Sequence, residues 1–497
     1  MRRGRYAPRR CWRRVTGPRP SRNCALSPRT PMPRRDSAIA CETTLWRWGA
    51  EKALGASLLG RVLTAAALAA TVGACDTIGS WFETEKVPLP GERISVLALE
   101  TSLEPDESVQ DLTVTLPAAV SNADWPQEGG TPEAVMRHLA LSGSLSRAWS
   151  ADIGTGSDDE ERVTARPVSA NGRVYTMDAR ARVSAFDLRT GERIWQVGLG
   201  RRSEDPGEIG GGVAVGDGVI VATTPFGDLY ALEPETGNYF WQVRIDGPIR
   251  GAPLVSNGRV YFLASDSRLK AHDLETGEEI WVHQGLQETA EQIGTPAPTG
   301  SGPFVLAPYA SGEIYAIRAD TGQAIWSDQL LRARRVTPLG AINDIDAQPV
   351  IDEGRVYVVG QGGAAAAIDL QRGIRIWDQE IAGRQTPWLT GDFLYLVSSE
   401  SELVCLSADD GGIRWVTQMP KFEDPEDNEG RLTWVGPVVA GERVIVANNE
   451  GQVAFYSPFD GSPVGGFELD DGIAAAPIVV DGTLLFVTDG GELIAYR

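Results

Sequence analysis

The sequence predicts an all-β protein: an eight-bladed β-propeller of four-stranded antiparallel blades, its ring closed by an N-terminal strand that completes the last blade. Composition is the first reason, since 56 Gly, 31 Pro and 42% hydrophobic residues suit many short strands joined by tight turns. The second is a recurring string of the type Ala-x-Asp-x-x-Thr-Gly-x-x-x-Trp, because repetition at this distance means one supersecondary unit copied many times. The third is that the two ends of the chain each lack what the other has.

Aligned on the Trp, the copies are FDLRTGERIW ending at Trp195, LEPETGNYFW at Trp241, HDLETGEEIW at Trp281, IRADTGQAIW at Trp326, IDLQRGIRIW at Trp377 and LSADDGGIRW at Trp415. Trp149, in LSRAWSADIG, lies one period before Trp195, and YSPFDGSPVG keeps Asp460-Gly461 but puts Gly465 in the Trp position. The spacings from 149 to 465 are 46, 46, 40, 45, 51, 38 and 50 residues, the length of a four-stranded blade. Eight units follow.

Within a unit, strand A starts after a residue and Pro, as in Ala252-Pro253, Gln348-Pro349 and Ala476-Pro477. Strand B follows a turn such as NG, DG or EG, as in NGRVYTM, GDGVIVA and EGRVYVV, where Asn and Gly accept positive φ most readily. Strand C carries the Ala, Thr-Gly turns C into D, and D carries the Trp. Each Trp fills a wedge between neighbouring blades, burying on the order of 200 Å²; Trp149, Trp195, Trp241, Trp281, Trp326, Trp377 and Trp415 are therefore expected to be structural. Asp187, Asp273 and Asp369 share one slot of the repeat and are expected to stabilise turns. The segment LLFVTDGGELIAYR supplies strands B and C without a D, while Trp149 marks a D without a C. Joining them closes the ring and leaves no open sheet edge there.

The front of the chain reads differently. Residues 1–50 are rich in Arg, Pro and Ser without any strand or helix period, and cannot bury a core. Then VLTAAALAATVGA at 62–74 follows Lys52 and Arg61 and precedes Cys75, the layout of a secretory signal and too short for a membrane span. Val72-Gly73-Ala74-Cys75 resembles a bacterial lipobox, which implies cleavage before Cys75 and lipidation of its thiol, with acyl chains as anchor. The expected layout is a removed leader over 1–74, longer than a signal peptide and so pointing to an over-extended start; a lipidated linker over 75–112; and the propeller over 113–497. Asp76 follows the lipidated Cys and leaves inner-membrane retention open beside an outer-membrane destination.

Charge divides along the same line. Residues 1–74 hold 15 Lys+Arg against 3 Asp+Glu, while 75–497 hold 31 against 64. A body this acidic repels phosphate backbones, so no nucleic-acid partner is expected. Cys11, Cys24 and Cys41 fall in the leader and Cys75 carries lipid, which leaves Cys405 alone in the Ala slot of its repeat as a buried small residue. The His residues are His138, His272 and His283, with no metal-spaced pair.

The Ala-x-Asp-x-x-Thr-Gly-x-x-x-Trp string resembles the tryptophan-docking motif of the propellers named for pyrroloquinoline quinone (PQQ). Within that superfamily the lipobox, the stretch DWPQEGG at 124–130 and eight units running to 497 resemble the BamB family, lipoproteins of the outer-membrane β-barrel assembly machinery (BAM complex). The resemblance implies a non-catalytic scaffold with no cofactor, held at the periplasmic face of the outer membrane. Its implied partners are a POTRA domain of BamA, other subunits of the complex and unfolded outer-membrane clients. The alternatives are a PQQ-dependent dehydrogenase and a propeller that binds another envelope ligand; the vicinal Cys pair typical of the former does not occur.

In a four-stranded blade the D-to-A and B-to-C connections share one face. The long segments 198–211, 284–294, 328–346 and 417–434 all join D to A, so one face is elaborated, as binding faces of repeat proteins are. INDID at 342–346 resembles the acidic loop by which the family holds BamA, which carries over to Asp344 and Asp346; a turn-capping role for Asp344 is the other reading. The neighbouring family segment, a Leu-x-Leu-Arg type string before a Gly, aligns with AEQIG at 290–294 and is not matched.

Overall fold

The computed structural model of the chain describes residues 103–109, 111–200, 209–286, 296–330 and 344–497. Every regular element among them is a β-strand, arranged as eight four-stranded antiparallel sheets and one short hairpin. The first blade contains Val168–Ala170, Arg173–Met177, Arg182–Asp187 and Arg193–Gly198, paired in chain order. Blades 2 to 7 repeat this order over 212–244, 254–284, 299–329, 350–379, 388–418 and 434–468. The eighth consists of Ile478–Val480, Thr483–Val487 and Glu492–Tyr496, with Arg147–Asp152 as its fourth strand. In that sheet Trp149 lies opposite Ala495, and the Ser146 and Arg497 backbones exchange two hydrogen bonds of 2.8 and 3.0 Å where a covalent turn would otherwise stand.

The blades are fastened as their residue types require. Each Trp of strand D lies on the turn glycine of the next blade: Trp149 on Gly191, Trp195 on Gly237, Trp241 on Gly277, Trp281 on Gly322, Trp326 on Gly373, Trp377 on Gly411 and Trp415 on Gly461. These glycines have φ between 68° and 76°, and a Cβ on any of them would stand only 2.5–2.8 Å from the indole. Glycine is thus needed twice over, for the left-handed turn and for the close approach. Each indole N–H donates to a carbonyl of the same next blade, those of Leu188, Pro234, Leu274, Ala319, Leu370, Ala408 and Pro458, at 2.7–3.2 Å. Opposite the Trp on strand C stand Ala495, Ala185, Ala231, Ala271, Ala316, Ala367 and, in blade 6, Cys405. All seven are 0% exposed, so Cys405 sits in the alanine slot.

The junction between blades 7 and 8 breaks the rule for a physical reason. Blade 8 has no covalent C-to-D turn, because its C strand ends at Tyr496 and its D strand starts at Arg147; a Trp at 465 would find no turn glycine to receive it. Instead Gly465 lies opposite Phe455, which reverses the large and small members of the pair. Phe467 stacks on Tyr496 at 4.5 Å and 21° and meets Phe486 edge-on at 6.1 Å.

The shared repeat carboxylates hold their turns: Asp187 accepts from the N–H groups of Arg189 and Thr190, Asp273 from those of Glu275 and Thr276, and Asp369 from those of Gln371 and Arg372. In Asp187 these bonds, that from Thr190 foremost, hold the carboxyl below the usual carboxylate range.

A strap over 120–141 ties the ring from inside. In order along the strap, Asn122 accepts from Asp481 and donates to Val479, and Trp125 exchanges two bonds with Ser169; Pro126 accepts from Val215 and Gln127 bonds both ways with Val255. Pro132 then accepts from Gly300, Glu133 from Ile351 and Arg137 from the Trp388 indole, and Leu139 donates to Val439. These partners lie on or beside the A strands of blades 8, 1, 2, 3, 4, 5, 6 and 7, so one segment touches every blade in turn. Trp125, 0% exposed, stacks on Trp388 at 6.1 Å.

The expected linker over 75–112 differs at its C-terminal end. Asp106 and Ile413 exchange hydrogen bonds of 2.8 and 2.7 Å, Arg414 donates to Leu112 at 2.7 Å, and Val109 is buried against Gly412. That stretch covers the outer edge of blade 6, satisfying backbone groups that an edge strand would otherwise expose.

Candidate partner-binding face

Each blade contributes two ends to the molecule. The strap occupies the end bearing the A-to-B turns: Asp124 accepts from Asn171 at 2.7 Å, Leu139 accepts from Gly441 at 2.9 Å and His138 from Glu442 at 3.1 Å. His138 also bonds the Pro117 carbonyl at 2.8 Å through its other ring nitrogen. Nearer the axis, a Cβ on Gly129 would meet Gln348 Oε1 at 2.7 Å. The opposite end carries the D-to-A connections and B-to-C turns together, as Thr155 of the first kind bonds Asp178 and Arg182 of the second at 2.9 and 2.7 Å.

On that end the acidic pair lies between blades 4 and 5. Asp344 is 3% exposed, and its carbonyl accepts from Gln361 of the blade 5 turn at 2.9 Å. The Asp346 carboxylate, 11% exposed, accepts from the Gln361 side chain and, at 3.1 Å, from Arg384 Nε of the next D-to-A connection. Burial pushes the Asp346 carboxyl up to about 6; Asp344 adds to the rise and Arg384 opposes it. Both residues of the acidic loop read from INDID are thus largely buried. Beside them Leu263, Tyr309, Pro296 and Ile345 line a small recess of roughly 20 Å³ with Asp346 at its wall.

Of the long connections read from the sequence, 417–434 is described throughout and contains a hairpin, Phe422–Asp424 with Glu429–Arg431. Most of the other three, including AEQIG and the first residues of INDID, lies outside the described residues, as does Cys75. Sequence reasoning missed Arg384 and Arg431, which belong to no repeat slot; their only signal was position, in D-to-A connections.

Candidate enzyme groups are dispersed. The ring of His272, 1% exposed, bonds the Gly277 carbonyl at 2.9 Å, and burial lowers its proton affinity. His283 pairs with the Tyr309 hydroxyl at 2.9 Å. Among the described residues no group of three or more His, Cys, Asp or Glu side chains is placed to hold a metal ion.

Comparison with known proteins gives consistent results. A family model described as outer membrane protein assembly factor BamB matches residues 179–417. The BamB of Yersinia pestis is 25% identical over 359 residues, 71% of this chain and 89% of that protein. Among solved structures, BamB from Moraxella catarrhalis superposes with a TM-score of 0.61 at 19% identity, over 71% of this chain and all of that one. A europium-containing methanol dehydrogenase reaches 0.60 at 15% identity, over 76% of this chain and 98% of that one; at such identities the likeness is one of fold.

Proposed function

We propose, from the premise that this chain belongs to the BamB family of PQQ-like repeat propellers, that it is a non-catalytic scaffold of the outer-membrane β-barrel assembly complex. It binds BamA and helps organise the insertion of β-barrel proteins into the outer membrane. The observation that carries the reading is the similarity to proteins named outer membrane protein assembly factor along most of both chains. The fold supports it: a ring whose blades are fastened by seven indole–glycine wedges and tied by the strap is a rigid platform, and its other end bears long connections.

In this reading the lipid on Cys75 anchors the protein at the periplasmic face of the outer membrane after removal of 1–74, and a POTRA domain of BamA docks beside Asp346. A carboxylate held largely away from water is a functional-site signal, because a guanidinium brought by a partner satisfies it more fully than solvent does. Asp344, at 3% exposure, supports the loop from within.

Affinity purification from detergent-solubilised envelopes tests the reading directly. BamA is expected to co-purify with the wild-type chain, and Asp346→Asn, which keeps the volume and removes the charge, is expected to reduce its recovery. Recovery of no BamA by the wild-type chain would overturn the scaffold role. The dehydrogenase alternative rests on likeness of fold; an absorbance change on adding PQQ and Ca²⁺ would revive it. Radioactive fatty acid fed to cells should label the wild-type chain and leave Cys75→Ala unlabelled.

A further inference from the structure

Arg384 faces two ways. Its Nε holds Asp346, and its side chain, 47% exposed, also lines a cavity of roughly 110 Å³ between blades 5, 6 and 7. Arg431, the last residue of the hairpin in the blade 6 to blade 7 connection, lines the same cavity. Ser398, Ser399 and Ser401 of the blade 6 turn line the cavity with them, as does Trp434, 3% exposed, with its N–H on the Pro420 carbonyl.

No carboxylate is among the lining residues, although the chain holds 67 Asp+Glu against 46 Lys+Arg. The nearby acids are engaged elsewhere: Glu402 accepts from Ser398 at 2.9 Å, Glu400 pairs with Lys421 at 3.0 Å, and Asp424 holds the backbone of its own hairpin turn. Among the described residues Arg431 forms no ion pair, and its guanidinium makes one hydrogen bond, a long one of 3.3 Å to the Ser399 carbonyl. A guanidinium carries five N–H donors. Two guanidinium groups line this one recess with no carboxylate among its lining residues, and the planar N–H fork of a guanidinium suits a carboxylate.

We propose that this cavity is a carboxylate-binding site, and that its ligand is an Asp or Glu side chain of the protein that docks on this face. The proposal rests on the reading of this end as the docking face, and deepens it. The face presents an anion at Asp346 and a cationic recess at Arg384 and Arg431, with Arg384 common to both. A partner must therefore bring a basic and an acidic side chain in adjacent positions. A surface of a single sign meets repulsion at one of the two places, which gives selectivity.

The test measures binding of the full-length lipidated protein to detergent-solubilised BamA, with Arg431→Glu, Arg431→Lys and Asp346→Asn alongside wild type. Arg431 is exposed, so its variants should melt with the wild type. Arg431→Glu is expected to weaken binding by about tenfold or more, mostly through slower association and with a changed salt dependence, as for charge reversal at an interface rim. Arg431→Lys is expected to give an intermediate loss of about threefold to fivefold with an unchanged salt dependence, because the charge survives while the fork that suits a carboxylate is lost. Wild-type affinity in Arg431→Glu with loss in Asp346→Asn would overturn the carboxylate site and leave the docking face standing. Wild-type affinity in both would overturn the docking face itself. If inorganic phosphate, at constant ionic strength, leaves BamA binding unchanged while shifting the Trp434 indole resonance equally in wild type and Arg431→Glu, the cavity is not built around Arg431 and the proposal falls.

Discussion

Replacing Asp346 by Asn should make the protein more stable at neutral pH, the reverse of the usual result for a carboxylate with an arginine partner. The folded carboxyl is raised from 3.8 to about 6, so between those values the native state holds more protons than the unfolded chain. Stability contributed at this position is therefore present below about pH 4 and is lost as pH rises towards 6. Two units at about 1.4 kcal/mol each amount to about 3 kcal/mol of strain at pH 7. The opposing pull of Arg384 is already contained in that shift, so the net stabilisation expected is about 3 kcal/mol. For a fold of this size that is about 3–4 °C in melting temperature. Thermal melts of wild type and variant at pH 7.5 and pH 4.0, by circular dichroism, should show the gap at the higher pH and its disappearance at the lower. A variant that melts below wild type at pH 7.5 would refute the reasoning, since the carboxylate would then be a net source of stability.

Other outcomes follow from the same geometry. Gly237→Ala should destabilise well beyond Gly172→Ala: both have φ +72°, but only at Gly237 does the new Cβ meet an indole, at 2.7 Å from Trp195. Chemical denaturation should show about 1 kcal/mol for the backbone alone at Gly172 and roughly 1–3 kcal/mol more at Gly237; equal losses would deny the wedge. Burial lowers the proton affinity of His272, so the stability that its neutral ring allows is lost as pH falls below the unfolded value of about 6.5. The His272→Gln variant should show a shallower loss between pH 7 and 5, measured by melting at each pH. Deleting residues 113–150 removes the strap and most of the fourth strand of blade 8, Arg147–Asp152, and should prevent stable folding; a truncated protein that melts at the parent's temperature would contradict this.

Legibility followed the origin of each feature. Blade number, strand order and the Trp and Ala positions could be read because every copy meets the same local surroundings, so the period itself carries the information. Gly465 was visible as an exception, but its reason was not. The swap with Phe455 and the stacking of Phe467 on Tyr496 make sense only once blade 8 is known to lack a covalent C-to-D turn. DWPQEGG could be noticed and not interpreted, because its partners are spread over blades 1, 2, 3 and 6.

The amino-acid order by itself determined the unit: alternating strands, glycine turns that tolerate left-handed backbone, and an indole opposite a small side chain. These depend on neighbours within one or two blades, where chain connectivity sets the distances. Only the tertiary structure decided that Asp344 and Asp346 are buried, that Arg384 joins Asp346 to a cavity shared with Arg431, and that the strap fills one end of the ring. Those environments are assembled from connections 30 to 300 residues apart, and the solvent exposure and electrostatics of such groups are set by what closing the ring brings against them.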